Sequence, residues 1–152
     1  MSDGRKVIAE NRRARRDYHV LERVEAGMAL TGTEVKSLRD GGGNLQESYA
    51  VLRGGEVFLV GANIAPYRQG SDANHEPMRD RKLLLHKGEI ASLYGKVRER
   101  GLTLVPTRMY WKDGRAKVEI ALARGKQTID KRRDIAKRDA DRAMQRALKS
   151  RR

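Results

Sequence analysis

His19, His75 and His86 are the only imidazoles in the chain, and there is no cysteine. Acid–base or metal chemistry would have to be built on these three. No two of them have metal-ligand spacing, so no metal site is expected. Asn74-His75-Glu76 is the one local set that could serve an RNA nuclease, and its composition is equally that of a polar loop. The absence of cysteine removes disulfides, thiolate nucleophiles and Cys-containing zinc sites, and it suits a reducing compartment. Neither G-x-x-x-x-G-K-[ST] nor G-x-G-x-x-G occurs. Gly41-Gly42-Gly43 could cradle a phosphate or simply end a helix. No catalytic residue, cofactor or metal is therefore expected, and the chain reads as a non-enzyme.

Basic side chains carry more information. The 152 residues hold 34 Lys and Arg against 20 Asp and Glu, a net charge of +14. Such an excess favours a polyanionic partner, because Lys and Arg release counterions from phosphates. The charge is uneven: residues 124–152 carry 12 basic and 4 acidic side chains, more than half of the excess. Arg79-Asp80-Arg81-Lys82 leads directly into Leu83-Leu84-Leu85, so charged positions sit beside anchored ones, as a positioned phosphate contact requires. A solvated loop would have the same composition. Among the aromatics, Tyr94 falls on a helix stripe and reads as core. Tyr67, between Pro66 and Arg68, is the better candidate to stack on a base.

The elements that must position these groups are short. Asp17 to Glu25 reads as a strand, with a turn or bulge at Ala26-Gly27 and a resumption through Leu30. Thr31 and Glu34 have capping-box spacing before a short helix with Val35 and Leu38 on one face. Ser48–Arg53 and Glu56–Val60 flank Gly54-Gly55, a hairpin signal, and the second strand extends to Pro66. Arg68 to Arg79 reads as a loop. Ile90, Leu93, Tyr94 and Val97 make the stripe of a helix from about Lys87 to Arg100, closed by Gly101. A strand broken by Pro106 follows, then a turn at Asp113-Gly114 and an alternating strand from Ala116 to Ala123.

About six antiparallel strands with two to three helices predict a mainly β fold, a small closed barrel of residues 1–123. Sequence pattern does not separate an OB-type barrel from an SH3-like one. Residues 1–16 read as a basic N-terminal arm. Residues 124–152 read as a basic tail, disordered when free, because a helical face made mostly of Ala buries little. No apolar run reaches the roughly 20 residues of a membrane helix, and the first ten residues lack a signal-peptide h-region. The expected location is the cytoplasm, with no membrane partner.

Asn11-x-x-Ala14-Arg15-x-x-Tyr18 and Gly27-x-x-Leu30-x-Gly32-Thr33-Glu34-Val35-Lys36-Ser37-Leu38-Arg39 resemble the opening of the SmpB family, the SsrA-binding proteins of bacteria. Gly61-Ala62-Asn63-Ile64-x-Pro66-Tyr67, Arg79-x-Arg81-Lys82-Leu83-Leu84-Leu85-His86, Lys117 through Lys126, and Asp130-Lys131-Arg132 continue the match in order. The resemblance implies an OB-type barrel that binds the tRNA-like domain of transfer-messenger RNA (tmRNA, the SsrA RNA). It implies tRNA mimicry in ribosome rescue by trans-translation. The tail would lie in the empty mRNA channel as a helix, and the unfinished protein would be tagged for degradation.

Residue by residue, the resemblance implies tmRNA contacts at Glu25, Leu84 and Lys117, extended by Asn11, Arg15 and Tyr18, and the basic cluster adds Arg81 and Lys82 as candidate phosphate contacts. Leu84 as core and Glu25 as a surface ion pair are the alternatives. It implies a decoding-centre segment at Gly125, Lys126, Ile129, Asp130, Lys131 and Arg132. Ile129 stands where relatives often carry an aromatic ring or His. The implied partners are tmRNA, the small ribosomal subunit at its decoding centre and mRNA channel, and elongation factor Tu through the tmRNA complex, with the protein itself a monomer. A ribosomal protein with a basic tail threaded into rRNA would have the same composition.

Overall fold

Alternating apolar residues along most of the chain build strands whose inner faces meet in one core. The computed structural model describes residues 5–70, 74–125 and 142–144. In chain order the elements are β1 (Arg5–Glu10), α1 (Arg12–Asp17), β2 (Tyr18–Met28), α2 (Gly32–Arg39), β3 (Gly43–Asn44), β4 (Tyr49–Arg53) and β5 (Glu56–Val60). β6 (Asn63–Ile64), β7 (Arg81–Leu84), α3 (Lys87–Arg100), β8 (Thr103–Lys112) and β9 (Arg115–Gly125) follow.

Pairing runs β8-β4-β5-β7-β2-β9, and β9 pairs back to β8, so six antiparallel strands close a ring. β1 adds to the outside of that ring along β8, and β3 pairs with β6 in a separate two-stranded piece. The expected barrel of about six strands is therefore present. Its interior holds Val57, Leu59, Leu83, Met109, Val118, Ile120 and Leu122, with Leu38 of α2 and Ile90 and Leu93 of α3 joining the same cluster. Among the described residues, no helix is long and apolar enough to cross a membrane.

Gly54 and Gly55 turn the β4–β5 hairpin with φ of +58° and +79°, a conformation that side-chain-bearing residues rarely adopt. The capping box is formed: the Glu34 amide donates to Thr31 Oγ1 at 3.4 Å, and the Thr31 amide donates to Glu34 Oε1 at 2.8 Å. Gly41 ends α2 with φ of +80°. A Cβ on Gly42 would lie 2.3 Å from Ser37 Oγ and one on Gly43 2.9 Å from Leu38 Cδ2, so these two glycines are packed against α2, while Gly41 faces open space.

Several expectations change. Residues 5–17 are not an arm but a strand and a helix built onto the barrel. The helix escapes pattern reading because its sequence, RRARRD, has one apolar residue, Ala14, which packs on Val105 and Ala123. β2 keeps its ladder through Ala26-Gly27; its irregularity lies between Val20 and Glu22. β5 stops at Val60, and Asn63–Ile64 pairs elsewhere. β8 is continuous through Pro106, because a register shift between Pro106 and Arg108 absorbs the missing N–H. Tyr94 is 50% exposed, with Arg98 Nη1 donating to its hydroxyl at 3.3 Å; the polar tip keeps the ring at the helix edge.

Asn11 staples α1 to the barrel. Its Oδ1 accepts from the Ala14 amide at 3.2 Å, its Nδ2 donates to the Pro106 carbonyl at 2.9 Å, and its own amide donates to Thr107 O at 2.7 Å. Asn11→Ala removes a helix cap and leaves a buried carbonyl short of a partner. It should lower the unfolding free energy by about 2 kcal/mol in urea titration.

Candidate nucleic-acid interface

Gly27 is the meeting point of three strands. It pairs with Leu84 of β7 on one side and Lys117 of β9 on the other, so Leu84, Gly27 and Lys117 form a row across the outer face. Glu25 lies two residues back along β2, on the same face. Because Gly27 has no side chain, the row encloses a hollow of about 390 Å³, with His86 and Glu89 at its far edge. A Cβ on Gly27 would come 3.3 Å from Leu84 Cβ, so glycine also sets how closely β7 approaches.

Alternation in β7 settles the orientation of Leu84. Arg81 and Leu83 are buried, while Lys82 and Leu84 face outward, and Leu84 is 54% exposed. Leu84 is not core; it presents an apolar surface beside an ammonium. Among the described residues Lys117 has no ion-pair partner. Glu25 is half-buried and held: the Tyr110 hydroxyl donates to Oε2, and Lys112 Nζ lies 3.4 Å away. Glu119 stands directly across from Glu25. Arg108 Nε at 3.0 Å and Thr107 Oγ1 at 2.8 Å both meet the Glu119 carboxylate, so each member of this like-charged pair has its own donors. The arrangement offers a fixed acceptor, an apolar contact and a cation without an ion pair within one shallow hollow. That combination suits one unstacked base and its phosphate.

The remaining expected contacts separate from this row. Asn11, Arg15 and Tyr18 lie at the other end of β2, where Tyr18 pairs with Gly125. Asn11 is buried, 3% exposed, and its side chain is spent on the cap and Pro106, so it is a structural residue rather than an RNA contact. Arg15 is exposed on α1, and Tyr18 packs against the Ala14, Val105 and Ala123 cluster. Lys82 shares the outer face with Leu84 and lies 3.7 Å from Glu56. Tyr67 is half-buried, with Lys36 Nζ 5.7 Å from its ring centroid.

Arg81 is the clearest correction. Its place in a basic cluster suggests a phosphate contact, yet it has no exposed surface at all. Its Nε donates to Glu34 Oε2 at 2.7 Å, and its Nη1 donates to the Ala62 carbonyl at 2.8 Å. Arg79 Nη2 reaches the other Glu34 oxygen at 2.6 Å. Burial alone would raise the Glu34 pKa. Donors from Arg79, the Thr31 backbone and Arg81 outweigh it and hold the carboxyl at about 2. Burial pulls the Arg81 pKa down, and Glu34 opposes it.

His75 is also structural. Its Nε2–H donates to the Ile64 carbonyl at 2.8 Å, and its Nδ1 sits 2.9 Å from Thr33 Oγ1. With both ring nitrogens engaged by the fold, His75 braces the start of α2 against β6. Among the described residues, no group of three or more His, Asp or Glu could hold a metal.

Gly125 is the last residue of β9. Lys126, Ile129, Asp130, Lys131 and Arg132, and with them the expected tail conformation, lie outside the described residues. Gly27 is neither turn nor bulge but a paired strand position, and a lone glycine inside a strand pattern is the sequence signal that another strand comes close there.

The family model described as SmpB protein matches residues 8–150 of this chain. A protein of Pelotomaculum thermopropionicum described as SsrA-binding protein is 57% identical, over 96% of this chain and 95% of its own length. A protein of Salinispora arenicola with the same description is 60% identical, over 95% of this chain and 91% of its own. Among solved structures, a chain from the work described as "tmRNA-SmpB: a journey to the center of the bacterial ribosome" superposes with a TM-score of 0.65. It is 52% identical and covers 83% of this chain and 92% of that chain.

Proposed function

Because the chain belongs to the SmpB protein family, we propose that it binds tmRNA and carries it to stalled ribosomes in trans-translation, acting in the cytoplasm without catalysis. The observation that supports this most directly is the row at Gly27, where Glu25, exposed Leu84 and Lys117 stand together on three strands. In this reading the row grips the tRNA-like domain. Arg15 and Tyr18, at the other end of β2 near Gly125, extend the contact with tmRNA, and Lys82 adds charge beside Leu84. The segment after Gly125, with Lys126, Ile129, Asp130, Lys131 and Arg132, enters the decoding centre and the mRNA channel. The protein works as a monomer, and elongation factor Tu joins through the tmRNA.

The test is binding of the tRNA-like domain across a salt series. Lys117→Ala should weaken binding at all sequences and reduce the slope of log K against log salt by about 1, the signature of one lost phosphate contact. Leu84→Ala should weaken binding roughly 5- to 50-fold while leaving that slope unchanged, because the lost contact is apolar. Unaltered binding in both variants would remove the row from the interface.

A further inference from the structure

A second hollow, about 360 Å³, adjoins the row at Gly27 and shares Gly27, Leu84 and Lys117 with it. Its apolar walls include side chains from three separate elements. Leu30 and Val35 flank the start of α2, Leu84 ends β7, and Trp111 belongs to β8. Trp111 is partly buried against the core, and Arg39 at the end of α2 lies 5.7 Å from its ring centroid. Arg115 and Lys117, at the start of β9, supply the charged part of the rim. No carboxylate lines this hollow. It therefore combines an aromatic ring, aliphatic walls and cations only.

We propose that this hollow takes a single nucleobase, turned out of the same RNA that the Gly27 row grips. Trp111 supplies the stacking surface, and Arg115 and Lys117 supply charge for the flanking phosphates. The proposal rests on the RNA-binding reading of that row. Three observations favour a base over an apolar peptide side chain or a second copy of this chain. The charge on the rim is wholly cationic. The volume lies at the lower end of the range of small-ligand sites, a scale that admits one planar base. The shared Leu84 places one apolar wall against both hollows, so consecutive nucleotides can straddle it. Stacking on an aromatic ring tolerates any base, so the hollow adds affinity without fixing sequence.

Trp111 is the only tryptophan in the chain, so its emission reports on the hollow in the full-length, unmodified protein. Titration with the isolated tRNA-like domain of tmRNA should quench that emission, with the same midpoint as a filter-binding curve. Trp111→Leu should weaken binding roughly 5- to 100-fold, and Trp111→Phe should restore most of it, as expected for a stacked base. Thermal melts of the two variants separate this effect from unfolding. Tight binding with unchanged emission would overturn the proposal and leave the RNA-binding reading intact. So would quenching with wild-type affinity in Trp111→Leu. Quenching that follows protein concentration without RNA would assign the hollow to a second copy and overturn it as well. Failure of the unmodified protein to bind the RNA at all would instead overturn the reading on which the proposal rests.

Discussion

Arg81→Met should lower the unfolding free energy by roughly 3–5 kcal/mol, because it strands the Glu34 carboxylate in the interior with one of its cations gone. Arg81 and Glu34 are both fully buried, and Arg81 also satisfies the Ala62 carbonyl, which methionine cannot do. Against a typical domain stability of about 5–15 kcal/mol, such a loss is a large share of the total. The same network sets an acid limit. The Glu34 pKa falls from 4.5 to about 2 on folding, so the ionised form is favoured in the native state. The resulting stability is fully present above pH 4.5 and is lost as pH falls toward 2. It amounts to about 3 kcal/mol at 1.36 kcal/mol per pKa unit. Urea titrations of the unmodified protein between pH 6 and pH 2.5 should show that decline, and Glu34→Gln should flatten it. A wild-type midpoint independent of pH across this range would contradict the ion-pair account.

Ending the chain after Gly125 should abolish tagging of stalled proteins while leaving the grip on the tRNA-like domain nearly unchanged. Gly125 closes β9 and pairs with Tyr18, so this cut spares every strand of the ring. A cut two residues earlier would remove paired positions and confuse instability with loss of function. Truncation takes away 11 basic and 4 acidic residues, half of the +14 charge. Binding should therefore become somewhat weaker at low salt and converge with that of the full chain as salt rises. Two assays are needed: affinity for the RNA, and transfer of the tag on ribosomes stalled without a stop codon. Lost RNA binding with preserved tagging would reverse the proposed division of labour.

Local rules were enough for features whose causes are local. Thr31 and Glu34 lie three residues apart, and Gly54-Gly55 turns the chain within itself. The apolar stripe of α3 ends on Gly101, as its spacing required. Features that depend on distant partners could not be read in the same way. Arg81 looks like a surface cation in its own neighbourhood; its partner, Glu34, lies 47 residues earlier, and only the closed ring brings them together. Ring closure itself needs β9 to pair with β2 and β8 simultaneously, which no single window contains. α1 was missed for a different reason. Its four arginines mask a helix whose only apolar anchor is Ala14, although Asn11 in the capping position was a usable signal. Glu25, Leu84 and Lys117 came from family resemblance alone. Their physical basis, a shared neighbour in Gly27, appears only once the strand register is known.

That register also converts β2 into a spacer. Gly27, at the RNA row, and Tyr18, at the root of the C-terminal segment, are nine residues apart on one strand. At roughly 3.3 Å per residue the two lie about 30 Å apart. β9 runs alongside over the same interval, pairing with β2 from Gly27 to Tyr18, so the span is a double strand rather than a flexible link. A cargo held at one end and a probe leaving from the other are thereby kept at a set distance and heading. Inserting a residue pair into both strands would lengthen the gauge without altering either end. The reach of the protein is thus a quantity that could be adjusted independently of what it grips.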